Sequence, residues 1–183
     1  KGLDPEAART SALMESLEGW HGERVQGTTA YARAGELESD FGSPAVDLRP
    51  LHRRGPDLGW TEHTRITWIR GRDLCADEEV FVPYDCVSTD FTADVSRSPF
   101  VRTTNGLASG NSYEEAALHA IYEVVERDAV TMWSRRPEAS DLVVDLDSIR
   151  DSYNAEILDR LRTAGLDVMV RLMTADTQVP VLG

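Results

Sequence analysis

The most suggestive spacing in this sequence belongs to carboxylates. Glu15 and Glu18 stand three residues apart, and so do Glu123 and Glu126. On a helix turning about 100° per residue, Ser11, Glu15 and Glu18 fall within about 60° of one another. By the same arithmetic Glu115, His119, Glu123 and Glu126 share a sector of about 80°. Like charges one turn apart cost an isolated helix roughly 0.2–0.5 kcal/mol, and a single such pair is usually only a solvated face. A second pair in a matched frame makes the two readings about even. Two pairs in matched frames ask for cations. Oxygen-only donors suit Mg2+, which is commonly held by one or two carboxylates together with substrate phosphates. A dimetal carboxylate centre is the competing chemistry, but it wants Glu-x-x-His on two helices. Glu18 with His21 supplies one such pair, whereas Ala129 stands at the matching place further on. A carboxylate metal site without nucleotide remains open on these residues alone.

Two helices must carry these acids. Asp4 can cap the first, Pro5 suits its first position and Glu6 its first turn. Leu13, Leu17 and Trp20 give it an apolar face, and it is expected to run from Pro5 into the low twenties. The second starts at Ser112, where Ser112 and Glu115 match a capping box, and reaches about Trp133 along Ile121, Val124, Val125 and Met132. Laid on each other at an offset of 108 residues, the two segments agree at a set of matched positions. Gly2 meets Gly110, Glu6 meets Glu114, Ala8 meets Ala116, Ala12 meets Ala120, Glu15 meets Glu123 and Glu18 meets Glu126. Asp4 meets Ser112, one cap facing another. Such a period is too long for a solenoid; it suggests two related helix openings converging on one site.

The remaining elements read more weakly. Residues 26–59 are polar and aperiodic, hence loop with at most short elements. Arg65–Ile69 and Val80–Pro83 form a predicted hairpin around Gly71-Arg72-Asp73. Leu142–Val144 is a predicted strand, Ala155–Ala164 a helix capped by Asn154 and stopped at Gly165, and Leu166–Met173 a further strand. The expected fold class is therefore α/β, with helices packed on a parallel or mixed sheet. Trp60, Trp68 and Trp133 read as core or interface residues rather than base-stacking platforms. Residues 1–183 begin without Met and stop just after the strand-like Val179–Leu182, so they are expected to be one portion of a larger domain.

Composition narrows the function classes. The chain has 183 residues with 32 acidic and 19 basic side chains, a net charge of −13, and Lys1 as its sole lysine. That balance argues against nucleic acid and against membrane surfaces. A P-loop needs an internal lysine that is missing here. Cys75 and Cys86 lack metal-ligand spacing and suit a reducing, cytoplasmic setting. Cys86 has no basic neighbour in sequence and reads as a small hydrophobe rather than a nucleophile.

One joined pattern is specific. Asn105-Gly106-Leu107-Ala108-Ser109-Gly110-Asn111 leads into Glu115-Ala116 and then Glu123-Val124-Val125-Glu126-Arg127-Asp128. Upstream stand Lys1-Gly2 and Ser11-Ala12-Leu13-Met14-Glu15-Ser16-Leu17-Glu18. Through most of its length the chain resembles the YcaO family. The resemblance implies an ATP-dependent enzyme acting on peptide backbone amides, with ATP and Mg2+ as cofactors. It places Mg2+ on Glu15, Glu18, Glu123 and Glu126, and nucleotide contacts on Asn111, Glu115, Arg127, Ser11 and Lys1. Arg127 would also steady phosphate charge in catalysis. Ala108 stands where some members have a serine. A homodimer, a peptide or protein substrate, and a TfuA-like or substrate-docking partner are further implications.

The implied reaction adds a nucleophile to the amide carbonyl, whose oxyanion then takes the γ-phosphoryl group of ATP before phosphate leaves. Catalysis of that kind is mostly positioning and charge neutralisation. A substrate Cys, Ser or Thr as nucleophile gives an azoline, and a sulfide source gives a thioamide. Two alternatives remain beside it: a family-like domain that binds nucleotide or peptide without turnover, and the nucleotide-free metal domain. Individual residues have plainer readings too. His119 reads as a half-exposed histidine, His21 as a helix-end histidine, Glu115 as the capping partner of Ser112, and Arg127 as one half of an ion pair with Asp128.

Overall fold

The computed structural model describes residues 2–51, 53, 55, 61, 63–94, 98–135 and 142–183. Lys1 and Trp60, both singled out above, lie outside them. The chain divides into two compact units, Lys1–Ser109 and Gly110–Gly183. No described helix is long and apolar enough to cross a membrane.

In the first unit, helix α1 spans Pro5–Glu23, with Pro5 at its first position and the Asp4 carboxylate accepting from Ala7 N at 2.8 Å. The aperiodic stretch that follows holds more order than its composition suggests. Strand β1 is Thr29–Ala32, a 3-10 turn covers Ala34–Glu36, and α2 is Leu37–Phe41. Strands β2 (Ile66–Asp73) and β3 (Glu78–Pro83) complete an antiparallel sheet in the order β1-β2-β3. Ala30 pairs with Trp68, and Trp68 with Pro83. A parallel bridge between Ala45 and Phe81 adds the other sense, with Phe81 N donating to Pro44 O at 2.8 Å. The core is Ala30, Ala32, Leu37, Trp68 and Phe81. Trp68 is wholly buried and satisfies its indole N–H on Ala32 O at 2.9 Å. The hairpin turns at Leu74–Asp77, not at Gly71–Asp73, which belong to β2. Asp73 makes the turn: its carboxylate accepts from Cys75 N at 2.8 Å and Ala76 N at 3.0 Å. Those donors hold its pKa below the usual value.

In the second unit, α3 spans Tyr113–Arg135 and α4 spans Ser152–Thr163. The cap of α4 is Asp151, whose carboxylate accepts from Asn154 N at 2.8 Å, so the helix starts three residues before the expected position. Gly165 ends it with a φ of 74°, a conformation glycine adopts without a Cβ penalty. Among the described residues the flanking segments meet as isolated bridges, Val143 with Arg171 and Leu172 with Leu182. Both are antiparallel, so among the described residues the strand–helix–strand series forms no parallel crossover in this unit.

Both long helices leave part of their apolar stripes exposed. Leu13 and Leu17 are 56% and 51% exposed on α1, and Ile121 and Val124 are 47% and 48% exposed on α3. The buried residue of α1 is Gly22, and that of α3 is Ala129. The stripes are present as expected, and on α3 the half-buried Val125 lines a cavity with Val179, Pro180, Val181 and Leu182 of the same unit.

Candidate functional site

The helix openings predicted to be related are alike in backbone detail. Ala8 N donates to Asp4 O at 3.1 Å, and Ala116 N donates to Ser112 O at 3.1 Å. Asp4 Oδ1 receives Ala7 N, while Ser112 Oγ receives Glu115 N at 3.2 Å. Each opening is also crossed by a glycine. A Cβ on Gly2 would lie 2.5 Å from Ala8 N, and one on Gly110 would lie 2.6 Å from Ala116 N. Only glycine lets the backbone come this close, so Gly2 and Gly110 repeat each other in structure as well as in letter.

Glu15 lies exposed on α1, and one turn on Glu18 is half-buried. Glu18 Oε1 accepts from Ser109 N at 2.9 Å and also from Ser109 Oγ. Ser11, one turn before Glu15, is half-buried. On α3 the arrangement is different. Glu123 Oε1 accepts from Arg127 Nε at 3.0 Å and Nη2 at 2.7 Å. The ion pair of Arg127 is thus with Glu123 one turn back, not with Asp128, because an (i, i+4) partner faces it and an adjacent residue does not. Glu126 is exposed. Among the described residues, neither Glu15 nor Glu126 has a hydrogen bond or ion pair.

Glu115 is not the reciprocal partner of Ser112. Its backbone N–H is capped by Ser112, but its carboxylate reaches one residue further, to Asn111 N at 2.8 Å and Asn111 Nδ2 at 3.1 Å. The Asn111 amide, and then its side chain, hold the Glu115 pKa below its usual value. Asn111 and Glu115 are therefore brought together, with Gly110 packed beside them. His119 is exposed and adds a smaller lowering effect on Glu115. His21 is exposed near the end of α1 and meets Trp20 edge-on, with ring centroids 4.8 Å apart.

The sequence reading passed over Ser109, treating it as one small residue in a loop. It also passed over Arg102, whose guanidinium bonds Asp85 and the Asp90 carbonyl and pins the chain shortly before that loop. Both contacts span long stretches of sequence, so no local spacing announces them. Cys75 and Cys86 are free thiols. Burial, and then the charge of Asp85, push Cys86 up to about 11, which keeps it protonated and unreactive at neutral pH.

The donor chemistry of the paired acids fits Mg2+. All four acids of the two pairs offer hard oxygens, and one of them, Glu18, is already fixed by two donors. Among the described residues no three His, Cys, Asp or Glu side chains gather into a metal cage. Substrate phosphates ordinarily complete a Mg2+ shell.

The model of the family described as YcaO cyclodehydratase, ATP- and Mg2+-binding, matches residues 1–183. The Mycobacterium tuberculosis protein Rv1375 is 36% identical over 170 residues, covering 92% of this chain and 37% of that protein. A Rhizobium leguminosarum bv. trifolii protein, described as lying in the tfuA 3′ region, is 33% identical over 98% of this chain and 42% of its own length. The chain thus spans less than half of these relatives. Among solved structures, a heterocyclase in complex with substrate and cofactor superposes with a TM-score of 0.73 at 23% identity, covering 93% of this chain and 25% of that one. YcaO from Methanopyrus kandleri, bound with AMPPCP and Mg2+, superposes with a TM-score of 0.63 at 24% identity, covering 93% and 40%. Both show the same α/β fold.

Proposed function

Because the chain belongs to the YcaO family, we propose that it carries part of an ATP- and Mg2+-dependent enzyme that activates peptide backbone amides by phosphorylating the amide oxygen. Glu15, Glu18, Glu123 and Glu126 are its metal-binding acids. Asn111, Glu115, Ser11 and Arg127 are its nucleotide-side residues, and Lys1 is assigned with them on sequence alone. Bound Mg2+ neutralises triphosphate charge, which is most of what phosphoryl transfer needs from its surroundings. The chain's own part is to hold the acids and the nucleotide in place.

The observation that carries this reading is Glu18. An acid on a merely solvated face has no fixed donors, whereas Glu18 is half-buried and takes two from a residue 91 positions away. That arrangement costs chain entropy and favours a defined oxygen over a floating one. The close approach at Gly110 supports it, since it fixes Asn111 and Glu115 at the start of the helix that also carries Glu123 and Glu126.

The relative in the tfuA 3′ region supports a TfuA-like partner, and with it a sulfide nucleophile and a thioamide product. The azoline route, through a substrate Cys, Ser or Thr, is the competitor. The free thiols fit the reducing cytoplasm. Calorimetry of ATP binding by the full-length protein, with and without Mg2+, tests the reading. Binding that needs Mg2+ and collapses in Glu126→Gln is expected. Equal binding in that variant overturns it. Product mass separates the two routes: exchange of oxygen for sulfur adds mass, and ring closure with loss of water removes it.

A further inference from the structure

The contact between Glu18 and Ser109 belongs to a larger cradle. One turn beyond Glu18, Thr89 N donates to Gly22 O at 2.8 Å. Gly22 is buried there, and a Cβ on it would lie 2.5 Å from Thr89 Oγ1 and 3.0 Å from Leu107 Cδ2. The end of α1 is therefore packed directly against two loop residues, one of them two places before Ser109. Within that cradle both Ser109 donors converge on the same oxygen, Glu18 Oε1. A carboxylate offers about four acceptor directions over its two oxygens. Two donors on one oxygen set the plane of the group and leave the other oxygen, Oε2, for a further partner.

We propose that Ser109 is the positioning residue of Glu18: its amide and hydroxyl lock Oε1 so that Oε2 is presented to a divalent cation. The assignment rests on the reading of Glu18 as a metal-binding acid. Ser109 does not touch nucleotide or metal in this role. It acts through Glu18, in the way hydrogen-bonded outer groups orient the ligands of other metal sites.

The test is a Mg2+ titration of ATP binding to the full-length protein, followed by calorimetry, with Ser109→Ala, Ser109→Thr and Glu18→Gln beside the wild type. Loss of an outer-shell partner ordinarily costs about 10–100-fold in metal affinity. Ser109→Ala should raise the half-saturating Mg2+ concentration by that much and leave metal-free nucleotide affinity unchanged. Ser109→Thr, which keeps the hydroxyl, should restore it. If Glu18→Gln shifts the Mg2+ dependence and Ser109→Ala does not, the positioning role is overturned and the metal reading stands. If Glu18→Gln shifts nothing, Glu18 is no ligand and both fall. Hydrogen exchange of the residue-109 amide in metal-free protein gives a readout that needs no Ser109 variant. Slow exchange in the wild type and fast exchange in Glu18→Gln is expected, and the same rate in both overturns the proposal.

Discussion

Around α1 the acid that is held is the second of its pair, Glu18, and what holds it is a distant loop residue, Ser109. Around α3 it is the first of the pair, Glu123, and what holds it is Arg127 one helical turn away. The backbones of the two openings are nonetheless matched, cap for cap and glycine for glycine. A helical ion pair forms wherever its helix forms. The Glu18 contact forms only once a chain segment 91 residues on has docked. One pair of acids is thus built by local structure and the other by tertiary closure, and both frames deliver one held and one open carboxylate.

The severest challenge to this equivalence is removal of the open acids. Glu15→Gln and Glu126→Gln should each weaken Mg2+-dependent ATP binding by the full-length protein by more than the ~100-fold upper range for an outer-shell loss. Losses of similar size would keep the pairs functionally equivalent. A loss confined to one pair would reduce the other to a solvated face.

The glycines test the backbone repeat itself. Alanine at Gly2 or Gly110 would place its Cβ at 2.5 Å or 2.6 Å from a helical backbone nitrogen, and overpacking of that kind costs about 1–3 kcal/mol. Urea unfolding should show both losses. A Gly110→Ala variant as stable as the wild type would mean that the second opening can relax where the first cannot. The caps should follow with smaller effects: Asp4→Ala and Ser112→Ala should each cost about 0.5–2 kcal/mol. Loss in only one of them would show that the two caps differ in weight despite their matched bonds.

What the sequence disclosed and what it concealed divide along the same line. The span of α1, the start of α3 and the related openings were readable because caps, proline and helical spacing act within a few residues. Strand β1 and helix α2 were hidden in an aperiodic stretch. Thr29–Ala32 is short and alanine-rich, and it is a strand because β2 pairs with it, Ala30 opposite Trp68. The cap at Asp151 was misplaced onto Asn154 because both residues are good caps, and only the folded chain shows which side chain turns inward. The apolar stripes were visible in the sequence, but their partial exposure within each unit was not. Of the candidate site, the acids stand out by spacing and Asn111 through the family resemblance, whereas the Ser109–Glu18 contact spans most of the first unit and no local spacing announces it.

The smallest expected effect separates the openings by pH. In α3, Glu115 occupies the position that Ala7 occupies in α1, so only the second opening carries an acid there. Its pKa is lowered from the ordinary 4.5, first by the Asn111 amide. A lowered folded-state pKa means that the carboxylate contributes stability above its ordinary range and loses it as pH falls through the folded value. The group is solvent-exposed enough for screening to keep that contribution slight, so it is best read locally. Protection of the Asn111 amide against hydrogen exchange should fall as the solution is acidified below about 4.5. In Glu115→Gln the same amide should show no such acid-dependent loss. A wild-type profile as flat as that of Glu115→Gln would mean that the carboxylate does not hold the loop. The difference between the openings would then reduce to their paired acids alone.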